Sequence, residues 1–353
     1  MKIAYITPSL NKCGPNVVLS NTIDGFNNNN NIQCDIFYLK DTKDNIKFKA
    51  STYKITSLFE LYKQMKNHDI IHSNGFIPDF IAFLFKVISF GRIKIITTVH
   101  NNVYHDLYYS KGLLFSVFFG SLWCLLFVFF DKRTFLSKCA LKYYKFLNGN
   151  KKNIVVSNSI EQNKKVIDLK LRDKYNLPDD SILIGSCANI TKRKGLDIII
   201  SNMKPYDNIY YIIIGDGIEK NNLINIVQDN NLKNKVFFVN FEPEPLDYIC
   251  SFDFFMMPSR NEGFGLTILE SLSVSTPVIC SNLDVFQELY QGMVSFIDGD
   301  KFDLSLVLHT AMISKEVQLR CSSKRIKEEY SVDVMCNKLD RIYKSMIFIK
   351  YRD

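Results

Sequence analysis

Along the first half of the chain, apolar positions fall into short runs separated by longer amphipathic stretches. Residues 2–7, 33–39, 69–73 and 93–99 read as strands, with 134–137 and 154–157 as shorter ones. Between them, stretches such as 17–26 repeat their apolar residues at helical spacing. The pattern restarts in the second half, with strand-like runs at 181–188, 209–214, 236–240, 254–257 and 277–280 and helices at 195–201 and 266–272. Strands that alternate with helices predict parallel sheets covered on both faces. A polar, charged stretch at 161–179 separates the halves. The expected architecture is therefore α/β, with two doubly wound, Rossmann-like domains, 1–165 and 166–353, facing a central cleft. In such sheets ligands bind outside the carboxyl ends of the strands. The last stretch, 333–349, places Val334, Leu339, Ile342 and Met346 at helical spacing and predicts a helix, here assigned to the second domain.

One segment breaks the alternation. Residues 113–130 are 18 uncharged, mostly aromatic and aliphatic positions, preceded by Lys111 and followed by Asp131-Lys132-Arg133. By length this is at the threshold of a membrane span. A span would put the strand at 134 across the membrane from the first four and split one sheet, so it is disfavoured. A buried core helix and a helix lying partly in the membrane interface both fit. The aromatics and flanking cations favour the interface.

Composition narrows the function classes. Of 353 residues, 44 are Lys or Arg and 36 are Asp or Glu, a net charge of +8 that suits anionic small molecules or an anionic membrane. No basic block is interleaved with aromatics, so a nucleic-acid partner is not expected. The nine cysteines form no Cys-x-x-Cys pair and are odd in number, which fits buried free thiols in a reducing cytoplasm. The opening Met-Lys-Ile-Ala-Tyr-Ile has too short an apolar run for a signal peptide and reads as the first strand.

The chemistry concentrates in Glu262-Gly-Phe-Gly-Leu-Thr-Ile-Leu-Glu270, which follows an apolar strand and opens an apolar helix. Gly263 and Gly265 free the backbone to approach a ligand, and amides at a helix start can hold an anion. The two carboxylates can accept hydrogen bonds from the hydroxyl pairs of sugars and ribose. An ordinary turn would explain a lone Gly-x-Gly, but not this combination. Upstream, Lys192-Arg193-Lys194 precedes Gly195, and Gly215-Asp216-Gly217 ends a strand.

These segments resemble the retaining glycosyltransferases of the GT-B fold, family 4, which carry a glutamate, seven residues and a second glutamate. Asp69-Ile-Ile-His72, Thr98-Val-His100-Asn and Val155-Val-Ser-Asn158 are similar to strand ends of that family's first domain, so the resemblance covers nearly the whole chain. The resemblance implies transfer of a hexosyl or N-acetylhexosaminyl unit from a UDP- or GDP-linked sugar. It implies that Glu270 binds the ribose and that Glu262 contacts the donor sugar. Phe264, Gly265 and Leu266 would offer backbone amides to sugar and diphosphate oxygens, and Gly215 would stand beside the base. Lys194 would neutralise the diphosphate where other transferases use a metal, so no metal and no cofactor are expected. The family often places Gly-Arg five residues before that lysine. Here Asn189 occupies the position, and Lys192 or Arg193 would supply the charge. Gly14 corresponds to a glycine-rich loop near the donor phosphate and acceptor, with one glycine only. His100, at a strand's carboxyl end, is a candidate at the reacting centre; His72 and His105 are weaker ones.

Other classes fit less well. A nicotinamide-dependent dehydrogenase lacks its Gly-x-Gly-x-x-Gly after the first strand. A metal-dependent GT-A transferase would need Asp298-Gly-Asp300 as ligands, but that tripeptide reads as a turn. A GT-B epimerase is disfavoured by the paired glutamates. A non-catalytic sugar-nucleotide-binding or scaffold protein of the same fold stays open as the alternative. The aromatic segment and common family roles point to a lipid-linked saccharide acceptor, surface-polysaccharide assembly such as O-antigen or capsule, and a peripheral place at the inner face of the cytoplasmic membrane.

Overall fold

The strands of both sheets pair in parallel, as alternating strands and helices require. The structure is a computed structural model, and its described residues are 1–28, 32–147, 152–162 and 164–348. They divide into two units: Met1–Glu161 with Tyr330–Asp353, and Gln162–Glu329.

Unit 1 runs β1 (Lys2–Ser9), α1 (Gly14–Asn28), β2 (Gln33–Lys40), β3 (Ser51–Lys54), α2 (Leu58–Met65), β4 (Ile70–Ser73) and α3 (Phe76–Ile88). It continues with β5 (Lys94–Val99), α4 (Val103–Lys111), α5 (Leu113–Phe127), β6 (Lys132–Phe135), α6 (Lys138–Tyr143) and β7 (Asn153–Val155). The sheet order is β3-β2-β1-β4-β5-β6-β7, so the winding reverses between β1 and β4. Unit 2 holds α7 (Leu171–Lys174), β8 (Ile182–Cys187), α8 (Leu196–Asn202), β9 (Ile209–Ile214), α9 (Lys220–Asp229), β10 (Val236–Val239) and α10 (Leu246–Ile249). After these come β11 (Phe254–Met257), α11 (Leu266–Ser273), β12 (Val278–Ser281), α12 (Asp284–Tyr290), β13 (Ser295–Ile297) and α13 (Leu304–Glu329). Its order is β10-β9-β8-β11-β12-β13, with the reversal between β8 and β11. Such reversals open a crevice at the strand ends.

The expected strands all form, with ends shifted by a few residues, and two strands escape the hydropathy pattern. β3 is exposed at all four positions on the sheet edge and so carries no apolar alternation. β13 has only three residues. Helix starts follow local chemistry: the side chains of Ser57, Asn102 and Ser137 accept from the amides of Glu60, His105 and Ala140 at the starts of α2, α4 and α6.

The last helix changes sides. The order of elements along the chain places it in the second domain, yet α14 (Val332–Phe348) belongs to unit 1, and the boundary falls after Glu161 rather than after residue 165. Ile349 of the expected helix lies outside the described residues. The cause is contact chemistry that hydropathy cannot reveal. α14 crosses α1 where Gly25 has no side chain; a Cβ there would lie 2.6 Å from Cys336 Sγ and 2.7 Å from Val332 Cγ1. Tyr343 reaches the sheet, and its hydroxyl shares hydrogen bonds with Tyr5 Oη (2.8 Å) and His72 Nδ1 (2.7 Å). His72 Nε2 continues to Thr98 Oγ1 (2.7 Å), which meets Thr134 Oγ1 (2.8 Å).

Candidate active site

At the switch point of unit 2, Pro258-Ser259 follow β11 and lead into the loop before α11. Gly195 has φ +65°, and a Cβ on it would lie 2.0 Å from the carbonyl oxygen of Pro258. Only glycine lets the Lys192–Lys194 turn come this close. That approach puts three side chains on one carboxylate. Glu262 Oε1 accepts from Lys194 Nζ at 2.7 Å and from Ser259 Oγ at 3.1 Å, and lies 3.3 Å from Arg193 Nη1. The Glu262 side chain is 7% exposed. Burial pushes its carboxyl up, but the Lys194 and Arg193 charges and the hydrogen bonds from Lys194 and Ser259 outweigh it, so Glu262 stays ionised below the usual glutamate range.

A second salt bridge holds this turn in place. Arg260 clamps Asp197 with two bonds of 2.8 and 2.7 Å and donates to the carbonyl of Lys192 at 3.0 Å. Its backbone N–H donates to the carbonyl of Arg193 at 2.8 Å, and Arg193 Nη1 donates to that of Asn261 at 3.0 Å. A planar guanidinium suits such a two-point clamp. Sequence reasoning misses Arg260, Ser259 and Asp197 as site residues, although Ser259-Arg260 abuts the motif. No spacing rule relates positions 197 and 260; only the sheet brings them together.

The remaining candidates of the motif follow Glu262 along the chain. Phe264 is buried, and its carbonyl accepts from the Tyr290 hydroxyl at 3.0 Å. Gly265 precedes α11 and Leu266 begins it. Glu270 is half-buried in α11. Burial, with the Glu270 charge adding to it and Lys194 opposing, pushes the Cys187 thiol at the end of β8 up to about 12. Gly215 follows β9 with φ +133°, and a Cβ there would lie 2.0 Å from the carbonyl of Ala188. Asn189 is exposed just after β8, and Lys192 is exposed on its turn. Asp298-Gly-Asp300 is a turn: Gly299 has φ +69°, Asp298 accepts from Asn282 at 2.7 Å, and Asp300 lies 3.7 Å from Arg260.

His100 and Gly14 belong to unit 1. Gly14 is the exposed first residue of α1. His100 is half-buried just beyond β5, with Nε2 3.3 Å from Asn74 Oδ1, and burial lowers its pKa to about 4. It lines a cavity of about 210 Å³ at the β1/β4 reversal, together with Ser9, Asn11 and Trp123. His72 is buried within the Tyr343 chain, and burial, with His100 adding to it, lowers its pKa to about 3. Its ring nitrogens are both engaged, a structural role. His105 lies in the first turn of α4, where its amide meets the Asn102 cap and its ring is 6.0 Å from that of Tyr143.

The aromatic segment forms α5, and its neighbour α3 shares its character. α5 shows Leu114, Val117, Phe118, Leu122 and Leu125 to solvent, while Cys124 and Phe127 are buried. α3 shows Ile77, Phe80, Val87 and Ile88. Phe90, just after α3, is 94% exposed at φ +52°, a region that bulky residues rarely enter. Phe83 of α3 and Phe129, just after α5, join the two with rings 4.8 Å apart. Exposed apolar side chains thus gather on two neighbouring helices. Among the described residues, no helix is long and apolar enough to cross a membrane. The 15 residues of α5 span roughly 22 Å at 1.5 Å per residue.

Comparison with known proteins gives the family and the fold. A family profile described as "Glycosyl transferases group 1" matches residues 167–294. An O-antigen biosynthesis glycosyltransferase of Escherichia coli, WclY, is 42% identical over 98% of this chain and 99% of its own. A Campylobacter jejuni N-acetylgalactosamine-N,N'-diacetylbacillosaminyl-diphospho-undecaprenol 4-alpha-N-acetylgalactosaminyltransferase is 25% identical over 38% of this chain and 40% of its own. Among solved structures, Anabaena HepE in complex with UDP and glucose superposes with a TM-score of 0.81 over 98% of this chain and all of that one. At 14% identity this last likeness shows a shared fold alone.

Proposed function

This chain belongs to the group 1 glycosyltransferases, and from that premise we propose that it moves a hexosyl or N-acetylhexosaminyl unit from a UDP- or GDP-linked donor to a lipid-linked saccharide during O-antigen or capsule-type assembly, with retention at the anomeric carbon. The observation that carries the donor half is the Glu262 cluster. Two cations, Lys194 and Arg193, face one carboxylate. Within that trio one positive charge is left to meet a diphosphate. It grows more valuable as the nucleotide departs, because charge then develops on the leaving oxygens. Glu262 keeps an oxygen for the donor's hydroxyls, and Glu270 takes the ribose. The cations supply the charge that a divalent metal supplies elsewhere, so transfer runs without one. Retention follows if the leaving diphosphate takes the acceptor's proton and the protein contributes position and field.

The acceptor half rests on the names of two relatives and on the apolar face of unit 1. The E. coli relative is named for O-antigen and the C. jejuni relative for an undecaprenol diphosphate acceptor. A net charge of +8 and the exposed Arg92 and Lys111 near the α3 and α5 ends suit an anionic bilayer at the cytoplasmic face. Thermal stabilisation against UDP, GDP, ADP and their sugars, with and without Mg²⁺, tests the donor reading. One nucleotide should raise Tm, equally with and without metal, and Glu270→Ala should abolish the rise. No rise with any nucleotide overturns it.

A further inference from the structure

If the chain glycosylates a lipid-linked saccharide, the saccharide end of that acceptor needs a seat, and assigning one in unit 1 rests on the transferase reading proposed above. The cavity at the β1/β4 reversal measures about 210 Å³, against roughly 15 Å³ for a single water. Its walls differ in character. Asn11, Asn74 and His100 offer amide and imidazole groups, while Trp123 offers an aromatic ring. A sugar has the same two aspects. Its hydroxyls donate and accept, while its C–H face is weakly positive and packs on the negative face of an aromatic ring.

Trp123 is the one tryptophan of the chain. It is half-buried, with its ring at 68° to that of Phe76 and 5.6 Å away. Its indole N–H donates to Asp79 Oδ2 at 2.7 Å. Asp79 is buried in the first turn of α3, and its Oδ1 accepts from Ser73 Oγ at 2.6 Å, at the end of β4. The angle of the indole is thus set from the strand end. The helix that carries it, α5, turns Trp123 to the cavity and Phe118, Leu122 and Leu125 to solvent. One helix is therefore both a wall of the cavity and part of the apolar face.

We propose that Trp123 is the platform on which the terminal sugar of the lipid-linked acceptor rests in this cavity, that Asp79 is the positioning residue for its ring, and that the lipid lies along the exposed α3/α5 face. The sole tryptophan supplies its own readout. Octyl glycosides of glucose, galactose and their N-acetylamino forms are titrated into the full chain while its emission is recorded, with an octyl sulfobetaine as the sugar-free tail. At least one glycoside should give a saturable change that the sulfobetaine does not. By calorimetry, Trp123→Leu should weaken that glycoside about ten-fold. Asp79→Ala should weaken it similarly, and Asp79→Asn should restore it, because an amide oxygen still accepts the indole N–H. In every variant the nucleotide-induced Tm rise should persist.

Equal responses to glycoside and sulfobetaine, or unchanged glycoside affinity in Trp123→Leu, would overturn the inference. If that happens while nucleotide still stabilises the protein, only the saccharide seat falls. A sugar response without nucleotide stabilisation would keep the cavity as a saccharide site and remove the donor reading. Should Asp79→Ala not fold, the wild-type and Trp123→Leu titrations decide alone.

Discussion

Tyr343 Oη lies 2.7 Å from His72 Nδ1, joining the last helix of the chain to β4 at the winding reversal of unit 1. Both side chains are buried, and the hydroxyl also meets Tyr5 Oη. Tyr343→Phe removes the shared partner and leaves two buried polar groups unsatisfied. The expected loss is about 1–3 kcal/mol, read as a lower urea midpoint with an unchanged slope. An unchanged midpoint would mean that α14 is held by its apolar contacts alone.

The same chain predicts how stability responds to acid. His72 is lowered to about 3 and His100 to about 4, each by burial, with His100 adding to the shift of His72. An unfolded histidine titrates near about 6.5. Below that pH the unfolded chain binds protons that the folded one refuses. The contribution of these two histidines is therefore complete above about 6.5 and is lost as the pH drops toward about 4. Between these pH values the wild type should lose more Tm than His72→Gln. Parallel losses would assign the acid sensitivity to other groups.

Lys194→Ala should lower kcat/KM by about 100-fold or more, with far-UV circular dichroism unchanged. Arg193 and Ser259 still bond or face Glu262, so the fold survives. Activity that persists would move the diphosphate contact to Arg193 or Lys192.

Arg260→Lys keeps the charge but cannot clamp Asp197 at two points and also reach the Lys192 carbonyl. The turn that carries Arg193 and Lys194 then loses its register. Transfer should fall about ten-fold or more, with a higher KM for the donor and an unchanged KM for the acceptor. A change confined to the acceptor would show that the clamp has no part in the donor site.

Phe90→Glu, alone or with Phe118→Glu, should weaken sedimentation with phosphatidylglycerol vesicles and leave Tm unchanged, since both side chains already face solvent. Undiminished vesicle binding would remove the apolar face from the proposed membrane contact.

The periodicity of the sequence settled most of the architecture. Strands such as β9 and β11 are apolar throughout because helices cover both faces of a parallel sheet, and that shows in composition alone. The Glu262–Glu270 motif was legible for a similar reason: its loop needs glycine next to carboxylate within one short stretch, so local order encodes the chemistry. Tertiary structure decided whatever depends on contacts distant in sequence. Nothing in the hydropathy of α14 says that Gly25 leaves room for Cys336, or that Tyr343 meets His72 across 271 positions. Arg260 became a clamp only when β8 and β11 were paired. Trp123 read as one more aromatic in an apolar run until packing gave its N–H a buried carboxylate and its ring a cavity. Spacing reports which face of an element is apolar; it does not report what that face meets.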